Sequence, residues 1–422
     1  MKAALIRIFS EVMIRSAGSF CVGGRAAFPA LPGLRIDGVG EISFPLAEDQ
    51  AEKIKVVGTQ APFGKGPRTV VDVSVRNTIQ IELSKVKISS PQWQTALQDL
   101  VQSSCVVLGI DDRGVRAELY KLLLYEPGGL FKPHQDSEKA LGMFGTLVVQ
   151  FPSSFSGGRF LVRHGDEERV FHMGTDDSSC STEHHYVAHY ADCEHEIEEV
   201  TRGYRLAAVY SLIWTAGSEP PPSTPGDSAV QKLADCLKEH LGNRRMGVLL
   251  THEYTKQSLG NFGIRALKLR DRAIAGTLLA ASELMKSSRP DDELELLIAK
   301  AYRLANDETD YDRDKAPPNL SYYEEFMDTS MYAVDGRPRG WQTGRVWEFD
   351  FFRDIVNLDP KEKKGKKWVP DRAGAEGWRP ELQTGRLGNE ATADIYTRYV
   401  LLFCRKEVSR TWGQPSRDIV RE

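Results

Sequence analysis

Nowhere in the 422 residues does an uninterrupted apolar run reach the roughly eighteen residues that a membrane-spanning helix needs, so no membrane span is expected. An excess of one charge is also missing. Lys and Arg number 55 against 59 Asp and Glu, for a formal net charge of -4. That balance gives no global attraction to nucleic acid or to an anionic membrane, so any charged substrate has to be selected locally. The third absence is a cysteine framework. Cys21, Cys105, Cys180, Cys193, Cys236 and Cys404 are scattered without a CxxC pair, which argues against a disulfide scaffold and for a reducing, cytoplasmic setting.

What is present is a chain with 41% hydrophobic and 9% aromatic residues, enough for two or three packed units. The opening MKAALIRIFSEVMIRSAGSF is interrupted by Arg7 and Glu11, so a short amphipathic helix is favoured over a transit peptide. Residues 1–100 read as an α/β lead-in, with a helix over Ala47 to Val57 and a strand alternating through Val71, Val73, Val75 and Ile79. Lys65 precedes that strand instead of opening a helix, so the adjoining Gly-rich turn is not a phosphate-binding loop. Residues 101–217 contain the short β-prone runs ELYKLLLY, FGTLVVQF, GRFLVRH, YVAHYAD and YRLAAVYSLIW, the pattern of a sandwich or barrel. The last is apolar on both faces and reads as a central strand. SEPPPSTPGDS at 218–228 is a linker, because consecutive prolines oppose both helix and sheet. Residues 229–422 read as a mixed, helix-rich region, with helical spacing in AVQKLADCLKEHL, AIAGTLLAASELMKS and DDELELLIAKAYRLAND and a strand at YTRYVLLFC. KEKKGKK at 361–367 is a solvated loop, with a nuclear-localisation patch as the sharper alternative. Trp341, Trp347, Trp368, Trp378 and Trp412 read as core or loop anchors.

Within this framework His134 and Asp136 stand two apart in HQD, a spacing that on a strand turns both side chains to one face. A third ligand has to come from His164, His172, His184, His185, His189 or His195. His195 is preferred because the chain runs directly from it to Arg205. His184 and His185 read as loop residues, and His189, read on the strand of His195 at even separation, is second choice. A lone HxD is usually a surface turn, a lone histidine is usually structural, and a lone buried arginine can serve a core ion pair. In ordered combination they form the two-imidazole, one-carboxylate face of a non-haem Fe(II) oxygenase. Arg205 lies in an apolar run, where an unpartnered charge is costly. Its fork suits bidentate capture of a carboxylate, which points to a keto-acid co-substrate with a distal carboxylate, 2-oxoglutarate.

The stretch LYKLLLYEPGGLFKPHQDSEKALGMFGTLVVQFPSSFSGGRFLVRHG, continued by YADCEHEIEEVTRGYRLAAVYSL, resembles the 2-oxoglutarate and Fe(II)-dependent dioxygenase domain of the prolyl 4-hydroxylase type over about residues 118–214. The resemblance implies a mixed α+β chain with a double-stranded β-helix (jelly-roll) core. It also implies that His134, Asp136 and His195 hold iron, Arg205 binds the distal carboxylate and Tyr125 hydrogen-bonds the co-substrate. Thr146 matches the start of the next core strand, and Gly157 and Gly158 match the paired glycines of a hairpin. Gln150 stands where many relatives carry a second co-substrate tyrosine. The implied reaction consumes O2, decarboxylates 2-oxoglutarate to succinate and hydroxylates a protein or peptide substrate, prolyl residues foremost, with ascorbate a candidate reductant. Two rivals are a catalytically silent jelly-roll interaction module and a Zn2+ or Mn2+ Lewis-acid enzyme. Arg205 has an evident purpose only with an acidic co-substrate.

Overall fold

The β-prone runs between Glu118 and Trp214 form strands Val115–Tyr125, Met143–Gln150, Phe160–His164, His184–Tyr190 and Arg205–Trp214. The structure, a computed structural model, describes residues 1–15, 18–65, 68–110, 114–176, 178–215, 227–307, 320–340, 355–356, 379–381, 386–387 and 391–409. The Pro-rich linker up to residue 226, the KEKKGKK run and the five tryptophans from Trp341 onward lie outside the described residues. The chain is mixed α/β, its strands pair antiparallel, and it divides into two units, Ala17–Pro220 and Met1–Ser16 with Pro221–Glu422.

In the unit Ala17–Pro220 the larger sheet has seven strands, in the order Cys21–Ala26, His184–Tyr190, Met143–Gln150, Arg205–Trp214, Val115–Tyr125, Ile79–Ile81 and Thr59–Gln60. Met143–Gln150 is buried at every position, as a strand covered on both faces must be. A second, five-stranded sheet runs Glu167–Phe171, Phe160–His164, Glu194–Ile197, Leu130–His134 and Arg76–Asn77. The lead-in is therefore not a separate layer. Its residues supply both edges of the larger sheet and one edge of the second, together with the helix Glu48–Val57 and the helix Pro91–Val107. Ser90 caps the latter by accepting from Trp93 N, and the fully buried Trp93 stacks on Phe28 at 3.8 Å between ring centroids.

One lead-in expectation fails. Val71 to Val75 form no strand, because Asp72 folds the chain back. Its carboxylate accepts from Ser74 N at 2.9 Å and its carbonyl accepts from Arg76 N at 2.9 Å. Such Asp-centred turns compete with ladder pairing, and here they expose Val71 and Val73.

The other unit collects the helix Lys2–Arg15, so residues 1–16 do not belong with the lead-in. Leu5, Ile8 and Phe9 join a core with Leu233 and Leu237 of Asp227–His240 and with Leu278 and Met285 of Leu269–Ser288. The expected helix over 291–307 is instead the strand Leu294–Asp307, paired on one side with Ala391–Arg405 and on the other with Leu320–Ala333. Leu294, Leu296 and Ile298 are buried on one face, and so are Leu297 and Ala299 on the other. A strand apolar on both faces shows no period of two, so its composition mimics a buried helix. Among the described residues the C-terminal region is thus a sheet with helices. Among the described residues no helix is long and apolar enough to cross a membrane.

Candidate metal centre

His134 ends its strand and stands opposite His195 of Glu194–Ile197 in the antiparallel register. Cross-strand neighbours lie close enough for side chains to meet, and these two imidazoles have centroids 4.2 Å apart. Asp136 falls beyond the strand end, so strand alternation does not place it. Its N–H donates to the Ala191 carbonyl at 3.0 Å, and Thr146 Oγ donates to its Oδ2 at 2.5 Å. One ligand atom from each of His134, Asp136 and His195 lies within 4.8 Å of the other two, an arrangement that can hold a metal ion.

The imidazoles are oriented by main chain. His134 Nδ1 lies 2.8 Å from the Lys132 carbonyl and His195 Nδ1 lies 3.1 Å from the Cys193 carbonyl. A carbonyl only accepts, so each Nδ1 carries the proton and each Nε2 keeps its lone pair for a metal. Burial, reinforced by His195, pushes the His134 pKa down to about 3, which keeps that ring neutral. Burial raises the Asp136 pKa, but His195, His189 and the Thr146 hydroxyl together outweigh it and hold the carboxyl below its usual range. The rings are also clamped by stacking, His134 on Phe131 at 3.4 Å and His195 on Phe160 at 5.8 Å.

The other histidines separate cleanly. His189 lies on His184–Tyr190, not on the strand of His195, because a turn closed by Cys193 N and the Tyr190 carbonyl intervenes. Its ring comes within 4.3 Å of His195, yet it contributes no atom to the ligand group. His184 and His185 are buried strand residues, not loop residues: His184 packs among Phe28, Trp93 and Phe151, and His185 Nε2 meets Ser179 Oγ at 3.0 Å.

His134, Asp136 and His195 line a cavity of about 470 Å³ between the two sheets, together with Tyr125 and Arg205. Arg205 opens the central strand and is 0% exposed. Its Nε donates to Gln150 Oε1 at 2.9 Å, while Nη1 and Nη2 make no hydrogen bond of good geometry. Burial pushes the guanidinium pKa down, and Tyr125, directly across the ladder with its ring 5.2 Å from the guanidinium carbon, opposes that. A buried cation with two unused donor groups fits a bidentate carboxylate. Gln150 departs from its expected place against the co-substrate. Its amide is committed to Arg205 and, through Nε2, to the Met173 carbonyl at 3.0 Å, so it positions Arg205 from behind.

Two contributions escape the sequence. Thr146 holds Asp136, and the cavity carries three further cations, Arg76, Lys121 and Lys139. A mismatch between a basic cavity and a weakly acidic chain is invisible to composition.

No protein-family model matches the chain, and no curated protein matches it. Similar solved structures include a Pseudomonas putida prolyl-4-hydroxylase, at 16% identity over 51% of this chain and 100% of that one, with a TM-score of 0.30. Another is an oxidoreductase of the 2OG-Fe(II) oxygenase family from Burkholderia pseudomallei, at 13% identity over 50% of this chain and 90% of that one, TM-score 0.26. A third is a Trichoplax adhaerens prolyl hydroxylase in complex with a hypoxia inducible factor peptide fragment, at 12% identity over 50% of this chain and 91% of that one, TM-score 0.30. Likeness at this level assigns neither activity nor substrate, and the chemistry of the site stands on its own side chains.

Proposed function

We propose that the chain is an Fe(II)- and 2-oxoglutarate-dependent dioxygenase on a double-stranded β-helix core formed by residues 17–220, hydroxylating a C–H bond of a protein side chain, prolyl residues foremost. The observation that carries this reading is Arg205, a wholly buried guanidinium with unused donors in the cavity of the His134, Asp136 and His195 cluster. Bound iron would supply O2 activation coupled to decarboxylation of 2-oxoglutarate, leaving succinate, CO2 and a hydroxylated substrate. His134 and His195 would hold it through Nε2 and Asp136 through its carboxylate. Arg205 would take the distal carboxylate of 2-oxoglutarate on Nη1 and Nη2, and the Tyr125 hydroxyl would donate to a carboxylate oxygen. Gln150 fixes the rotation of the guanidinium, Thr146 keeps Asp136 ionised and aimed, and Phe131 and Phe160 exclude water from the imidazole faces. Retention of the Asp136 carboxylate favours hydroxylation over halogenation, which needs that ligand position for halide.

A silent interaction module has no use for Arg205, since a buried charge with two unsatisfied donor groups only weakens a fold. The test is succinate release from 2-oxoglutarate by protein loaded anaerobically with Fe(II) and then given O2. Wild type is expected to turn over slowly even without prime substrate, and Asp136→Ala and Arg205→Ala are expected not to. Turnover that survives Asp136→Ala removes the metal assignment.

A further inference from the structure

Resting on the proposed function, a charge count of the cavity reaches to the substrate. The charged residues lining it are Arg76, Lys121, Lys139 and Arg205 against the single carboxylate Asp136. A divalent metal and Arg205 are cancelled by Asp136 and the two carboxylates of 2-oxoglutarate. Arg76, Lys121 and Lys139 are left over. Among the described residues no carboxylate lies within ion-pair distance of any of the three, although this chain carries more acids than bases. Arg76 is 6% exposed, donates from Nη1 to the Pro62 carbonyl at 2.9 Å, and has a buried Nε without partner. It lies 4.4 Å over Phe131, which also stacks on the ring of His134, so this cation sits one aromatic ring from the metal ligands. Lys121 and Lys139 both approach the ring of Tyr120, at 5.3 and 5.9 Å, and Lys139 Nζ also donates to Ser137 Oγ. Burial, with Arg76 and Lys139 adding repulsion, pushes the Lys121 pKa down to about 8, as expected of clustered cations. Each of the three has an aromatic ring beside it, but a ring does not neutralise a cation, and Asp136 is the one carboxylate that lines the cavity.

We propose that the prime substrate carries a carboxylate near the carbon that is oxidised, and that Arg76, Lys121 and Lys139 select it. The carboxylate belongs either to an acidic residue flanking the target in a peptide or to a free small acid.

The test is binding to protein loaded with Mn(II) and 2-oxoglutarate, followed by anisotropy of a dye-labelled nine-residue peptide with a central proline flanked by glutamates. Its glutamine and lysine counterparts serve as controls. The glutamate peptide is expected to bind at least about tenfold tighter than the glutamine one, the scale of a partly desolvated charge pair. Lys121→Gln and Arg76→Gln should each erase most of that preference, and Lys121→Glu should turn it toward the lysine peptide. The swap needs no loss of fold to be seen. N-acetylglutamate separates the sources: binding as tight as the peptide's identifies a small acid, and weaker binding identifies an acidic peptide. Equal affinity for the glutamate and glutamine peptides, or no binding by either the glutamate peptide or N-acetylglutamate, overturns the proposal. The proposed function fails independently, if Mn(II) uptake without peptide is not tightened by 2-oxoglutarate.

Discussion

Arg205 is a residue whose value depends on what it meets. Alone, the buried guanidinium opposes folding; with a carboxylate on Nη1 and Nη2 it anchors a ligand. Arg205→Met should therefore weaken 2-oxoglutarate binding by ~2–5 kcal/mol, roughly 30-fold or more, as truncating one partner of a buried charge pair does. In ligand-free protein the same change should leave the melting temperature unchanged or higher. Calorimetry with and without 2-oxoglutarate reads both effects, and a large loss of stability without ligand would contradict this account. His184 supports a second prediction, on pH. Burial, helped by His185, pushes its pKa down from the ordinary 6.5 to about 4. Between those values the unfolded chain binds the proton and the folded chain does not, so the stabilisation is complete above pH 6.5 and is lost as pH falls toward 4. His184→Phe, which suits the surrounding Phe28, Trp93 and Phe151, should flatten that decline when urea midpoints are compared at about pH 7.5 and about pH 4.5.

At the scale of elements, the turn that carries the chain from Phe155–Gly157 in one sheet to Phe160–His164 in another depends on two glycines. Gly157 and Gly158 adopt φ of 75° and 63°, and a Cβ on Gly158 would meet Val200 Cγ2 at 2.9 Å. Gly158→Ala should cost about 1–3 kcal/mol through a left-handed non-glycine backbone, read as a lower urea midpoint. The strands from Val115 to Trp214 were legible because each short apolar run ends at Gly, Pro or Asp, and sheet register follows from such runs. Leu294–Asp307 was not, since buried apolar residues fall on both faces of its first half and period two disappears there. The turn at Asp72 was missed for the opposite reason: the valines alternate correctly, but one aspartate offers the backbone a closer partner. In the site, HQD, His195 and Arg205 were readable as chemical types in order. The Thr146 bond to Asp136 and the clasp of Gln150 on Arg205 join residues far apart in sequence, and no local spacing encodes them.

At the scale of the molecule, the strands that complete the sheets come from outside the span where the motif sits. A fragment of residues 101–217 lacks Cys21–Ala26, Arg76–Asn77 and Ile79–Ile81, and so loses the ladders on His184–Tyr190, Leu130–His134 and Val115–Tyr125. It should show no cooperative unfolding transition, whereas residues 17–220 should unfold cooperatively and take up Mn(II), as circular dichroism and metal titration would reveal. Finally, the two imidazoles of the candidate centre lean on the carbonyls of Lys132 and Cys193, groups that every amino acid possesses. The exposed Lys132 can therefore be replaced without disturbing the tautomer it supports, whereas the buried Cys193, its thiol on the Phe20 carbonyl, is held by packing as well. A lineage built this way keeps its metal-binding letters while the text around them is rewritten.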